Sequence, residues 1–345
     1  MKRLVLLVLL LAYPPYLQAS APEAKLDRLV LYLDWIPNVE FAGMFFGIDK
    51  GWYKQAGIDL QFIHHDLNIV DRVVSGEADI GMESSPRLIS AIASGSPVRT
   101  FAVQYQLNPN SILVRDRRDI QHPKDLRGKK LGIFAPQDID MFRVMLGYHG
   151  IQIDKRNLVP MNSFKELDII EALKTNKVDA IIAWEFNWSV SFALLGFQSR
   201  IFPGYDNGFH FYGVSFFARK EFIDRNLDLL TRFMEVTLRG WKAVYKDPDR
   251  IADLVVENYY PKDRYLNGSK ELTQQQQRVE LKLRRRYFQE GVGEDYWGYM
   301  TDEKWRMGLD LARRYGLIPK HSELRPQDLY DRRVLQALYP NRKDR

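Results

Sequence analysis

The sequence predicts an α/β protein built from two similar lobes. Two observations carry that expectation. A strand–helix rhythm runs twice along the chain, and each run contains a matching phrase, Ala78-Asp79-Ile80-Gly81 in the first and Val178-Asp179-Ala180-Ile181 in the second. Strands alternating with helices imply parallel pairing through right-handed crossovers. A third observation places a site. The first strand ends in the loop Asp34-Trp35-Ile36-Pro37-Asn38, and open α/β sheets bind ligands outside the carboxyl ends of their strands.

The segment before the first strand reads as a leader. Lys2-Arg3 supplies a positive start, residues 4–12 an unbroken apolar stretch, and Ala19-Ser20-Ala21 a cleavage pattern. Nine apolar residues are too few for a membrane-spanning helix, and Tyr13-Pro14-Pro15 interrupts the run. Residues 1–21 are therefore expected to be a cleaved signal peptide.

In the first run, residues 29–33 read as a strand, 41–48 as a helix and 58–63 as a second strand. Residues 69–75 follow as a helix, 78–82 as a short strand, 87–93 as a helix stopped by Gly95, and 98–105 as a strand. The second run opens at Pro123-Lys124-Asp125-Leu126. Its expected elements are a strand at 131–134, a helix at 141–148, a strand at 158–161, a helix at 164–175 and a strand at 178–184. The chain returns through a strand at 213–218. Residues 227–245 carry apolar side chains at helical spacing, and 250–259, 274–287 and 305–315 read as further helices. Residues 342–345 look like a charged, frayed tail.

Composition narrows the function. The 345 residues include no cysteine, which excludes cysteine nucleophiles, thiolate metal sites and a lipid-modified cysteine anchor. An exported chain without disulfides must rely on its core, which roughly 320 residues after the leader can supply. The formal charge is +6, and about +4 remains without Lys2 and Arg3. The densest basic run, Arg284-Arg285-Arg286, lies between Glu280 and Glu290 and reads as a solvated helix face, so no nucleic-acid partner is expected. His64-His65-Asp66 does not make a metal site, because neighbouring side chains on a strand point to opposite faces. No nucleotide-binding or hydrolase motif appears either.

Several phrases together resemble a known family. They are Leu33-Asp34-Trp35-x-Pro-Asn, Gly51-Trp52-Tyr53, Gly57-Ile58-Asp59-Leu60, Gly76-Glu77-Ala78-Asp79-Ile80-Gly81, Asp125-Leu126-x-Gly-Lys-Lys and the closing Trp305 to Tyr315-Gly316-Leu317-Ile318. In this order they resemble the periplasmic substrate-binding proteins of ABC importers. The likeness is to the SsuA-like group that includes binders of thiamine pyrimidine precursors, and it covers about residues 29–318. It implies a type II periplasmic-binding-protein fold with a ligand cleft between two lobes. Lobe I would comprise residues 26–113 plus 210–345, lobe II residues 114–209, and the hinge would lie near Leu113-Val114 and His210-Phe211. It also implies a periplasmic monomer that closes on a small ligand, needs no cofactor or metal, and is recognised by an ABC permease. A sensory module docking on a membrane receptor is an alternative.

The same superfamily contains a eukaryotic enzyme that makes the thiamine pyrimidine from pyridoxal phosphate and its own histidine. Matching Ile80-Gly81-Met82 places its lysine at Glu83 and its histidine at Arg87. A carboxylate cannot form a Schiff base, and the enzyme's cysteine-rich iron segment has no counterpart. Catalysis is not expected.

The candidate ligand residues follow. Trp35 would stack on a flat ring while Asp34 or Asn38 receives its amino hydrogens, with Glu40 a further acidic cleft candidate; alternatively Trp35 packs in the lobe and Asp34 caps the next helix. Ser84 and Ser85 precede a helix and would donate to a ligand carbonyl or anion, or Ser85 is an N-cap with Pro86 after it. Trp184 and Glu185, at the end of the matching second-lobe strand, suit an amino-substituted heteroaromatic ring. Gln104 and Tyr105 would line the cleft wall, and Tyr212 lies beside the return crossing. With Asp34, Glu40 and Glu185 present and no arginine in the same loops, an anionic ligand such as a sulfonate is disfavoured.

Overall fold

The computed structural model describes residues 25–64 and 68–342. The expected leader, His65-Asp66 and residues 343–345 of the tail lie outside the described residues. Ten strands succeed one another: β1 (Asp27–Tyr32), β2 (Ile58–Ile63), β3 (Ile80–Ser84), β4 (Val98–Val103), β5 (Asn110–Arg115), β6 (Leu131–Ile133), β7 (Leu158–Pro160), β8 (Ala180–Trp184), β9 (Ser199–Pro203) and β10 (Val214–Arg219). They form two five-stranded sheets, ordered β2-β1-β3-β10-β4 and β7-β6-β8-β5-β9.

The two sheets share one topology. In each, three strands run parallel, β2-β1-β3 and β7-β6-β8. The fourth strand is antiparallel to both neighbours: β10 between β3 and β4, β5 between β8 and β9. The expectation of parallel pairing throughout is thereby corrected. β5 follows β4 without a crossover helix, and β10 arrives from the other sheet, so neither is bound by the βαβ rule. β5 and β9 lie outside the expected strands for the same reason: no strand–helix alternation marks them. β1 and β3 are buried over most of their length, as expected of strands covered on both faces.

Among the described residues thirteen α-helices surround the sheets. Before β9 come α1 (Ala42–Asp49), α2 (Trp52–Gln55), α3 (Ile69–Ser75), α4 (Ser85–Ala93), α5 (Pro136–Tyr148), α6 (Glu166–Lys174) and α7 (Trp188–Leu194). After β10 follow α8 (Lys220–Arg225), α9 (Leu227–Val244), α10 (Pro248–Asn258), α11 (Lys270–Gln289), α12 (Asp302–Arg314) and α13 (Arg333–Leu338). Among the described residues no helix is long and apolar enough to cross a membrane. β5 shows how the second sheet is covered: Ile112 and Val114 join the large core shared with the first sheet, while Leu113 faces a separate cluster with Ile169, Leu173 and Phe192 from α6 and α7.

α11 departs from the usual amphipathic arrangement. Gln276, Gln277, Glu280 and Arg284 are buried, whereas Val279 and Leu283 are exposed. The helix spans the space between the sheets. Gln277 accepts from the Val39 N–H on the first-sheet side at 3.0 Å, and Glu280 accepts from Asn187 at the start of α7 at 3.2 Å. The reading of Arg284 as part of a solvated face is overturned; only its neighbours Arg285 and Arg286 reach water.

Candidate functional site

The carboxyl ends of β1 and β3 face those of β6 and β8 across a cavity of about 200 Å³. Its walls are aromatic. Trp35 meets Phe164 edge-on with ring centres 5.8 Å apart, Phe164 stacks on Phe134 at 5.0 Å, and Phe134 leans on Trp188 at 5.0 Å. Trp35 comes from the first-sheet side and Phe134, Phe164 and Trp188 from the second, so these rings already touch across the cleft. The opposite end is polar, lined by Asp34, Glu40, Glu83 and Arg284.

Six of the eleven candidate residues line this cavity: Asp34, Trp35, Asn38, Glu40, Ser84 and Trp184. The Asn38 carboxamide is partly committed, accepting from the Glu40 N–H at 2.6 Å and donating to the Ile36 carbonyl at 3.0 Å. It, rather than Asp34, caps the turn that follows β1. Ser84, not Ser85, holds the N-cap position of α4, and its hydroxyl bonds Glu83 at 3.1 Å instead of capping the helix.

The other five lie outside the lining. Ser85 donates to the Tyr212 carbonyl at 2.9 Å, Gln104 to the Glu40 carbonyl at 3.0 Å, and Tyr212 accepts from the Thr301 N–H at 2.8 Å. Tyr105 accepts from Arg284 at 2.5 Å, which makes it a support behind the cleft. Glu185, one residue past β8, turns to α11 and accepts from the Tyr287 hydroxyl at 2.5 Å. These positions follow strand ends in sequence, but burial and local bonds direct their side chains elsewhere.

Arg284 is the organising residue that the sequence reading missed. Its guanidinium bonds Tyr105, reaches Glu280 at 3.2 Å and Glu40 at 3.7 Å, and lies 4.4 Å from the Phe186 ring centre and 5.4 Å from that of Trp184. The one available signal was spacing: Gln276, Glu280 and Arg284 recur every four residues and share one helix face. Glu83 and Arg87 were also missed as lining residues; they pair at 3.0 Å one turn apart.

Carboxyls outnumber cations here, and their proton affinities show it. Burial lifts Asp34 well above the ordinary carboxylate range, and Glu40 and Glu83 raise it further. Burial raises Glu40 to about 7, with Arg284 opposing and Glu280 adding to the rise. Glu83 is raised by burial against the pull of Arg87 and the Ser84 N–H. Burial works against charge on Arg284 too, but Tyr105, Glu40 and Glu280 outweigh it and raise its pKa. Asp34 Oδ1 and Glu40 Oε1 are buried without a hydrogen-bond donor.

This has a consequence for stability. A carboxyl whose folded pKa is raised is tolerated while neutral and penalised once ionised. Stability tied to Glu40 is therefore full below about pH 4.5 and falls as pH rises toward about 7. Glu40→Gln should gain on the parent across that window, by an amount on the order of 3 kcal/mol at pH 8. Urea unfolding of the ligand-free proteins at pH 5 and pH 8 measures it; a difference independent of pH would reject the burial argument.

A family model described as "NMT1/THI5 like" matches residues 38–251. The chain belongs to the NMT1/THI5-like family. Among relatives of this family member, the riboflavin-binding protein RibY of Chloroflexus aurantiacus is 23% identical over 319 residues, covering 87% of this chain and 85% of RibY. The formylaminopyrimidine-binding protein of Halalkalibacterium halodurans is 21% identical over 262 residues, covering 74% and 77%. Yeast 4-amino-5-hydroxymethyl-2-methylpyrimidine phosphate synthases such as THI5 are 21% identical over 64% of this chain and 68% of theirs. Among solved structures, the aliphatic sulphonate-binding protein SsuA of Escherichia coli superposes with a TM-score of 0.59 at 14% identity, over 90% of this chain and 93% of SsuA. The nitrate-binding protein NrtA of Synechocystis superposes at 0.66 and 12%, over 92% and 89%. The fold is that of the periplasmic binding proteins.

Proposed function

We propose that the protein is the substrate-binding component of an ABC importer, captures a small planar heteroaromatic molecule such as a thiamine pyrimidine precursor, and does no chemistry on it. The observation that carries this reading is the cleft itself, aromatic on its walls and rich in carboxyl acceptors at its polar end. Flat rings stack on such walls, and ring amino groups donate to such acceptors. The volume of about 200 Å³ lies below the ~300–1,000 Å³ of sites for drug-sized ligands, which favours a single ring over a tricyclic flavin. The same carboxyls argue against the sulphonate and nitrate named for the structural neighbours.

In this reading Trp35 and Trp184 cover the ring, and Asp34, Asn38, Glu40 and Ser84 supply polar contacts. Lobe I would hold the first sheet and lobe II the second, joined by crossings at residues 104–109 and 204–213. The first crossing then precedes Leu113-Val114, which pair with Ile181 and Ala180 inside the second sheet. Residues 1–21 would direct a monomer to the periplasm, where a permease receives the loaded form.

Similarity to the yeast synthases does not extend this reading to catalysis. The resemblance puts the required lysine at residue 83, and Glu83 is bonded to Arg87 and Ser84. Native mass spectrometry of freshly purified protein should reveal a bound single-ring heterocycle. Trp184→Ala should weaken that ligand about tenfold by removing one stacking face. Retention of an anionic sulphonate or nitrate instead would overturn the reading.

A further inference from the structure

The polar end of the cleft is mismatched in a directional way. Asp34, Glu40, Glu83 and Glu280 gather around two cations, Arg284 and Arg87, so ionising every group would leave two excess negative charges. The unpartnered atoms are almost all acceptors. Asp34 Oδ1 and Glu40 Oε1 lie in the cleft residues, and Gln104 Oε1 and Gln276 Oε1 lie on side chains bonded to the same cluster; Arg284 Nε is the single unpartnered donor there. Glu40 is only 1% exposed although it lines the cleft, so its free oxygen is shut off from bulk water. A buried carboxyl oxygen without a donor is costly, and a charge-assisted donor from a ligand removes that cost. Trp35, Trp184 and the stacked phenylalanines beside it offer π-faces, which attract cations.

We propose that the cleft recognises its ligand by an amidine edge, two nitrogens on one carbon carried as the amidinium cation, held against the Asp34 and Glu40 carboxyls. This rests on the planar-ring reading above and adds the charge and hydrogen-bonding pattern that the ring must present. Arg284 is then a specificity-determining residue. Its fixed charge pairs with Glu40 and Glu280 while Asp34 Oδ1 and Glu40 Oε1 stay without a donor of their own. Binding exchanges a proton for the ligand's charge: the carboxyl that was neutral in the empty cleft ionises, and its proton leaves to solvent. The charged groups that act on these two carboxyls are Glu280 and Arg284 from α11 and Glu83 from β3; Arg87 of α4 pairs with Glu83, Tyr105 after β4 accepts from Arg284, and Asp138 of α5 shares the cleft lining.

Three single-ring probes test the proposal: benzamidine, its neutral isostere benzamide and anionic benzenesulfonate. Isothermal titration at pH 6.5 in two buffers of different ionisation enthalpy gives affinity and proton release together. Benzamidine stays cationic at this pH, so any released proton comes from the protein. We expect benzamidine to bind at least about tenfold tighter than benzamide with measurable proton release, and benzenesulfonate not to bind. Glu40→Gln should reduce the preference for benzamidine over benzamide several-fold, and Asp34→Asn offers an independent second variant. Benzamide equalling benzamidine, or benzamidine binding without proton release, would overturn the amidine-edge proposal. A neutral heterocycle retained in native mass spectrometry alongside that result would leave the planar-ring reading standing. Preferential binding of benzenesulfonate would overturn both.

Discussion

Replacing Arg284 with methionine should destabilise the protein by roughly 3–5 kcal/mol at pH 7.5, the range for removing one partner of a buried ion pair. The loss is not that of a single contact. Glu40 and Glu280, 1% and 0% exposed, would be left without the cation that permits either to ionise. The effect should shrink on acidification. Glu40, raised to about 7, and Glu280, also raised by burial, take up protons as pH falls, and a neutral carboxyl needs no counter-charge. Urea unfolding at pH 5 and pH 7.5 therefore distinguishes charge compensation from simple loss of packing, which would be equal at both. Glu280→Gln in the Arg284→Met background should recover part of the loss at pH 7.5 only. Lysine at 284 should fail to substitute. A single ammonium cannot reach Tyr105, Glu280 and Glu40 together as a planar guanidinium does.

Much of the scaffold could be read from the chain because its signals are local. β2 (Ile58–Ile63) and α3 (Ile69–Ser75) appear at the residues expected, where apolar spacing and flanking glycines mark both ends. The loop after β1 was legible for the same reason: Asp34, Trp35, Asn38 and Glu40 follow a strong strand and precede a helix, and all four line the cleft. What could not be read depends on tertiary neighbours. The polar stripe of α11 looks solvated in sequence because Gln276, Glu280 and Arg284 are of types that seek water. They are buried together because Glu280 accepts from both Gln276 and Arg284 and because α11 bridges the two sheets. The aromatic wall was hidden differently. Phe134 and Phe164 sit thirty residues apart in unremarkable segments, and only the fold of the second sheet stacks them. Glu185 shows the reverse error. Its place at a strand end suggested the cleft, yet Tyr287 of α11 takes its carboxylate.

The second large effect lies away from the cleft, where α1 crosses α9. A Cβ added to Gly240 would sit 2.0 Å from the backbone oxygen of Gly43, and one added to Gly43 would sit 2.6 Å from the Trp241 ring. The two helices thus approach as closely as glycine on both sides allows. Alanine has the higher helix propensity by about 1 kcal/mol, so Gly240→Ala would stabilise an isolated α9. In the folded protein the clash is with backbone, which no rotamer change relieves, so the helices must separate. We expect a net loss of at least about 2 kcal/mol, since overpacking of this kind typically costs 1–3 kcal/mol and more where backbone must move. The displacement has a route to the site. Gly43 lies three residues after Glu40, and the turn from Val39 to Phe41 runs directly into α1. Moving α1 shifts the Glu40 carboxyl relative to Arg284 and Asp34, so Gly240→Ala should weaken ligand binding although residue 240 touches no ligand. Urea unfolding together with ligand titration checks both parts. A more stable variant would show that the helix crossing yields at no cost. An unstable variant with unchanged affinity would show that the loop carrying Glu40 is held in place by α11 alone.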